Sequence, residues 1–300
     1  VVDLEDAIMD RPHSYSSLST LANCAQLFDY KYREELEAPD TKLPMLAGSA
    51  IDAAFNVLYT KAWDFSEAAT ALAESWGDTR TPLGSKHPWL TLPFLEERLR
   101  LYMQEREESP TILEEGEVLK EWSGVKKTFE WVGDSGVVSV TSIPDFVLLH
   151  GGKHYIPDLK CTTQWINDYW FMQFRISHQL RIYAAQMQSL EGIRVDGGLI
   201  NAVYMGEKAL DPPEAWKKRK SAPSALKLVD FTQEQIADAH WWVTGLEAQE
   251  RAHEESGIWP KNEKACNNYG GCEFLPLCTA PSENVRRALM MTQFRRKEAK

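Results

Sequence analysis

Apolar residues recur at helical spacing early in the chain. Leu18, Leu21, Ala22, Ala25, Leu27 and Phe28 share a face behind Ser14, Ser16 or Ser17 as caps, predicting a helix over 14–37. A polar, proline-containing break at 38–40 follows, and Gly48-Ser49 leads into a second helix to about Tyr59. Residues 64–108 read as mainly helical, with loops around Pro82-Leu83-Gly84 and His87-Pro88. The period then shortens. Val125 to Val132, Val137 to Thr141, Ile143 to Leu149 and Lys153 to Lys160 are β-rich runs. A long helix is expected over 167–190, stopping near Gly192, and a strand over Gly197 to Tyr204. A basic, proline-flanked loop at 211–226 precedes a helix at 232–255, an irregular cysteine-bearing stretch at 260–281 and a basic helical tail at 282–300.

This order of elements predicts an α/β fold, a mixed central sheet flanked by helices. We read one domain over 1–300: N-terminal helices at 14–60, a helical insertion at 61–117, a core at 118–205, a C-terminal helix and cysteine loop at 206–281, and the tail. With 43% hydrophobic and 26% charged residues the composition is that of a soluble globular protein, and no apolar run is long enough for a membrane span. The acidic N-terminus does not read as a secretory signal. Five cysteines, an odd number, argue for a reducing, cytoplasmic setting, where clustered cysteines more often hold metal than disulfides. A net charge of −11 argues against nonspecific coating of nucleic acid but permits a local basic path.

The sharpest chemistry lies at residues 143–160. Gly151-Gly152 between two β-rich runs predicts a two-residue hairpin. Counted down that ladder, Asp145 falls opposite Asp158 on one face, and Lys160 projects from the same face two residues on. Opposed carboxylates destabilise a sheet unless a cation lies between them, and Mg²⁺ is typically held by one or two carboxylates with waters and substrate phosphate. A surface hairpin with scattered charges is the plainer alternative.

Pro144-Asp145, followed after thirteen positions by Asp158-Leu159-Lys160, resembles the core of the PD-(D/E)xK nucleases, and is similar in particular to their RecB-like branch. The resemblance implies a restriction-endonuclease-like core in which Asp145, Asp158 and the Leu159 carbonyl bind Mg²⁺ or Mn²⁺ and Lys160 assists catalysis. Gln179 and Tyr183, four apart on the following helix, match the Gln-x-x-x-Tyr of that branch and would position nucleic acid; by spacing alone they fit an ordinary amphipathic helix. Gly48-Ser49-Ala50-Ile51-Asp52 resembles the segment that carries a histidine in RecB-like nucleases, but Asp52 stands in its place. A carboxylate can still ligate a hard cation. It also adds negative charge, so the substitution preserves, retunes or abolishes activity.

Cys266, Cys272 and Cys278 have five residues between neighbours, and Cys24 is the candidate fourth ligand. The layout has no close Cys-x₂-Cys pair, as zinc ribbons usually do. It resembles the iron–sulfur nucleases of the RecB-like group, such as AddB and the CRISPR-adaptation exonucleases, which implies a structural [4Fe–4S] cluster tying the two ends together, with zinc as the lesser alternative. Cys161 should point away from Lys160 as a buried thiol.

Lys217-Lys218-Arg219-Lys220 with Lys227, and the tail residues Arg286, Arg287, Arg295, Arg296 and Lys297, are the basic patches; Trp165, Trp170 and Trp216 are candidates for stacking on bases. The expected function is metal-dependent hydrolysis of DNA, as an exonuclease on single-stranded or end-processed DNA, in recombination and repair, phage replication or CRISPR adaptation with a protein partner. The alternative is a catalytically impaired DNA- or partner-binding module marked by Asp52.

Overall fold

The computed structural model describes residues 12–38, 42–61, 63–79, 85–119, 126–133 and 136–297. In chain order, α1 (Tyr15–Asn23) and α2 (Ala25–Phe28) lead through a π-helical turn, Asp29–Arg33, to β1 (Leu36–Glu37). Next come α3 (Leu43–Thr60), α4 (Phe65–Trp76), α5 (Leu92–Glu108), α6 (Ile112–Glu115) and β2 (Glu117–Leu119). Strands β3 (Lys127–Gly133), β4 (Gly136–Ser142), β5 (Val147–His150) and β6 (Lys153–Thr162) follow. Then α7 (Asp168–Phe171), α8 (His178–Glu191), β7 (Gly197–Tyr204), α9 (Pro213–Arg219), β8 (Ser224–Asp230) and α10 (Gln233–Ser256). The chain closes with α11 (Leu275–Cys278), α12 (Glu283–Gln293) and β9 (Arg295–Arg296). The expected break at 38–40 and the Pro82-Leu83-Gly84 loop lie largely or wholly outside the described residues.

The chain divides into two compact units. The larger, Lys42–Lys127 with Ile143–Ile236, holds a five-stranded sheet in the order β2-β5-β6-β7-β8. Only β6 and β7 are parallel; the other neighbours are antiparallel, so the sheet is mixed. All eight positions of β7 are buried, as expected of a strand covered on both faces. The core draws on Ala47, Ala50, Ile51, Ala54 and Leu58 of α3, Leu95 and Leu99 of α5, Leu180 and Ala184 of α8, and Ile200 and Ala202 of β7. These helical positions recur at three- and four-residue steps, the apolar stripe that seats a helix on a sheet.

The smaller unit comprises residues 1–41, 128–142 and 237–300. Early and late segments of the chain meet in it. β1 pairs with β9, and Tyr30, Leu36, Phe274, Leu277 and Phe294 form a common core. Asn262 Nδ2 donates to the Asn23 carbonyl at 2.7 Å, and the Gln26 amide to the Pro260 carbonyl at 3.1 Å.

Several expectations are corrected. The helix over 14–37 is broken: Cys24 has an extended backbone (φ −161°, ψ 110°) and both ends α1 and starts α2. The helix over 167–190 is interrupted by a 3₁₀ segment, Met172–Ile176, and an extended Ser177. There Trp170, Phe171 and Phe174 turn inward, and the extended Ser177 separates them from the buried Leu180, Arg181 and Ala184 of α8. The basic loop at 211–226 contains α9 and the start of β8. β8 is an edge strand with much of its length exposed, which left it without a strong β signal.

Candidate active site

Gly151 and Gly152 take φ of +58° and +76°, the left-handed values that a two-residue turn demands and glycine adopts without strain. The turn sets the register as expected, with His150 opposite Lys153 and Leu149 opposite His154. The ladder ends before reaching the acids, however. β5 begins at Val147, so Asp145 lies in a bend beyond it and is not paired with Asp158 in the sheet. Pro144, which cannot donate to a ladder, precedes that bend.

Asp145 and Asp158 nonetheless converge, and Asp52 of α3 joins them. Burial pushes the Asp145 carboxyl up to about 7, helped by the charges of Asp52 and then Asp158, while Lys160 opposes the rise. Burial also raises Asp52, with Asp158 the next cause. Asp158 is raised by burial against the opposing pull of Lys160.

Lys160 sits on the same face of β6 as Asp158, its ammonium 2.9 Å from Oδ1 and 2.8 Å from Oδ2. The same ammonium donates to Gln179 Oε1 at 2.9 Å, and Gln179 Nε2 donates to the Tyr183 hydroxyl at 3.1 Å. A relay thus runs from strand carboxylate to helix phenol. Cys161, next to Lys160, is half-buried with its Cβ against Gly48, and burial, aided by Asp52, pushes its thiol up to about 12. It stays a thiol across the physiological range.

Asp52, Asp145 and Leu159 line one small recess with Phe55, Asn56, Tyr59 and Asn201. Residues 52, 55, 56 and 59 fall on one face of α3. Behind the recess the Tyr59 and Tyr102 hydroxyls lie 2.6 Å apart, Tyr59 donates to Glu114 at 2.6 Å, and Asn201 Nδ2 donates to Tyr102 at 2.9 Å. Sequence reasoning missed this buried network. The helical step from Asp52 to Tyr59 was its one available signal; nothing local marks Tyr102 or Asn201.

Among the described residues, no group of three or more His, Cys, Asp or Glu stands at metal-holding spacing. The donor chemistry still fits a hard divalent cation: the acids supply oxygen alone, and a divalent charge would offset both the burial that chiefly raises Asp145 and the added repulsion of Asp52 and Asp158.

In the smaller unit Cys24, Cys266, Cys272 and Cys278 all line one small cavity with Leu27, Tyr30, Lys261 and Phe274. All are free thiols. Burial raises Cys272 and Cys278, and nearby cysteine sulfurs add to the rise in both.

Of the three tryptophans expected to stack on bases, Trp170 and Trp216 are buried. Trp165 is exposed, its ring parallel to Tyr204 at 4.9 Å. Arg219 is ion-paired with Asp211 and lies over Trp165 and Trp216. In the tail, Arg286 and Arg287 pair with Glu283, and Arg296 with Glu34.

An acid and a lysine on one strand of a mixed α/β sheet, with a second acid from the bend before β5, a third from α3 and a helix amide that steers the lysine, make a constellation suited to hydrolysis of phosphodiesters. The family model of the PD-(D/E)XK nuclease superfamily matches residues 12–279, and the chain belongs to that superfamily. A provisionally named exonuclease from Eubacterium rectale, known as a crystal structure, has the same fold: TM-score 0.52 and 15% identity, covering 88% of this chain and 89% of that one. A second structure, SSO0001, aligns over 92% of this chain and 96% of its own at 12% identity with a TM-score of 0.35, which adds nothing to the assignment. No curated protein sequence matches the chain. No helix among the described residues is long and apolar enough to cross a membrane.

Proposed function

We propose that the chain hydrolyses phosphodiester bonds in DNA as an exonuclease on single-stranded or end-processed substrates. The observation that carries this reading is the Lys160 ammonium, held between Asp158 and Gln179 beside two further carboxylates. Asp145, Asp158, Asp52 and the Leu159 carbonyl would hold Mg²⁺ or Mn²⁺, which when bound polarises phosphate and lowers the pKa of water. Lys160 offsets charge on the phosphate and orients the attacking water. Gln179 fixes where that ammonium points, and Tyr183 fixes Gln179.

Labelled single- and double-stranded DNA, incubated with Mn²⁺ and either wild type or Lys160→Ala, tests the reading. Cleavage by the wild type alone supports it, and intact DNA with both proteins under every metal tried sinks it. The second reading, a binding module of impaired activity, rests on Asp52, whose charge adds to an already crowded acidic site. Retained DNA binding without cleavage would favour it.

The four cysteines line one cavity but do not stand at metal-holding spacing; an iron–sulfur cluster there, with zinc second and a structural role, is what the resemblance in sequence implies. This reading goes with a single nuclease domain acting in the cytoplasm beside a recombination, replication or CRISPR-adaptation protein. Absorbance near ~400 nm in anaerobically purified protein separates iron–sulfur from zinc.

A further inference from the structure

The connection between β6 and α8 carries an unusual surface. It leaves β6 two residues after Lys160 and enters α8 one residue before Gln179, so both its ends are fixed at the candidate site. Trp170, Phe171 and Phe174 anchor it from below, with Trp170 5.0 Å from Phe171 and 4.9 Å from Phe174. Asn167 caps it through the Trp170 amide at 2.9 Å, and buried Arg181 donates to the Arg175 carbonyl at 2.7 Å. On this braced segment Tyr169, Met172 and Ile176 point outward, 84%, 54% and 71% exposed. Exposed apolar side chains on a segment already supplied with three buried anchors do not serve its packing.

We infer that Tyr169, Met172 and Ile176 form a ridge on which the bases of an unpaired DNA strand stack as its backbone enters the site. The inference rests on the nuclease reading and narrows its substrate to single strands. Three observations select this occupant. The ridge is continuous through the chain with Lys160 and Gln179. Three side chains are too few for a stable protein interface, which buries about 800 Å² per partner. The chain carries a net charge of −11, which argues against binding by phosphate attraction alone, whereas stacking on an aromatic face such as that of Tyr169 adds affinity for any base, whatever the sequence. In a duplex those base faces are already stacked on each other.

The test is fluorescence anisotropy in Ca²⁺ with three labelled probes: an oligothymidylate, its abasic analogue of equal length, and a blunt duplex. Wild type should bind the thymidylate about tenfold to a hundredfold more tightly than the abasic strand. The triple variant Tyr169→Ala/Met172→Ala/Ile176→Ala should bind both strands as weakly as wild type binds the abasic one, with duplex affinity unchanged. Tyr169→Trp, which keeps an aromatic face, should retain the preference. Undiminished thymidylate binding by the triple variant overturns the inference, as does equal loss on all three probes. A changed sedimentation coefficient with unchanged affinity also overturns it, by marking a contact between copies. Failure of the nuclease reading shows separately, as intact DNA with wild type in Mn²⁺.

Discussion

The Lys160 ammonium donates to Gln179 Oε1 across 2.9 Å while lying as close to both oxygens of Asp158. A flexible four-carbon side chain is thereby held at two points, one on its own strand and one on the helix that follows. Holding a charged donor in place before the reaction is what makes it effective in a transition state, because no reorganisation is then needed.

Removing the ammonium should therefore cost more than loosening it. Lys160→Ala is expected to lower kcat about a hundredfold to a thousandfold. Gln179→Leu should lower it about tenfold, the worth of one hydrogen bond to a charged group. Lys160→Arg should not restore the rate, since a planar guanidinium cannot repeat a point-charge geometry. Single-turnover cleavage with saturating Mn²⁺ measures all three.

Asp52 is the second cause of the raised Asp145 carboxyl. Asp52→Asn should bring Asp145 down toward the ordinary carboxylate range, and should weaken Mn²⁺ binding if Asp52 is a ligand. Calorimetric titration of Mn²⁺ into both proteins checks this. An unchanged affinity would assign Asp52 to electrostatics alone.

The metal-free protein should lose stability as pH rises. An Asp145 carboxyl near 7 when folded and near ~4 when unfolded makes the folded state bind more protons between those values. Its contribution is complete below about pH 4 and gone above about pH 7. A divalent cation must displace that proton, so the rise in Tm on adding Mn²⁺ should be larger at pH 8 than at pH 6.

Tyr102→Phe removes a fully buried hydroxyl that accepts from Asn201 and lies 2.6 Å from the Tyr59 hydroxyl. The orphaned Asn201 amide should cost about 1–3 kcal/mol in urea unfolding. A loss well below that range would mean Asn201 finds another partner.

How much could be read beforehand follows from how local each feature is. Asp145, Asp158, Lys160, Gln179 and Tyr183 lie on a hairpin and the next helix, where a glycine turn and two periodicities place side chains by counting. That count failed at Asp145, where Pro144 and the end of β5 bend the chain out of register. The acids still converge, through burial and the arrival of α3. Tyr102 and Asn201 were illegible because their meeting depends on how α5 packs against β7, and no spacing encodes it. Trp165 and Trp216 looked alike in sequence, yet one is exposed and the other buried, a difference that packing alone decides.

The Gly151-Gly152 turn stands in open space: a Cβ at either glycine would meet nothing within 4 Å. The acids sit at the other end of the hairpin. Residues can therefore be added at the tip without disturbing them, provided they come in pairs, one for each arm, since a single extra residue would turn one arm inside out. The gap of thirteen between Asp145 and Asp158 is thus one value of a variable length. Kin of this chain should be sought across a ladder of odd-numbered gaps, and an engineered pair of residues at the tip offers a handle for a dye or tether.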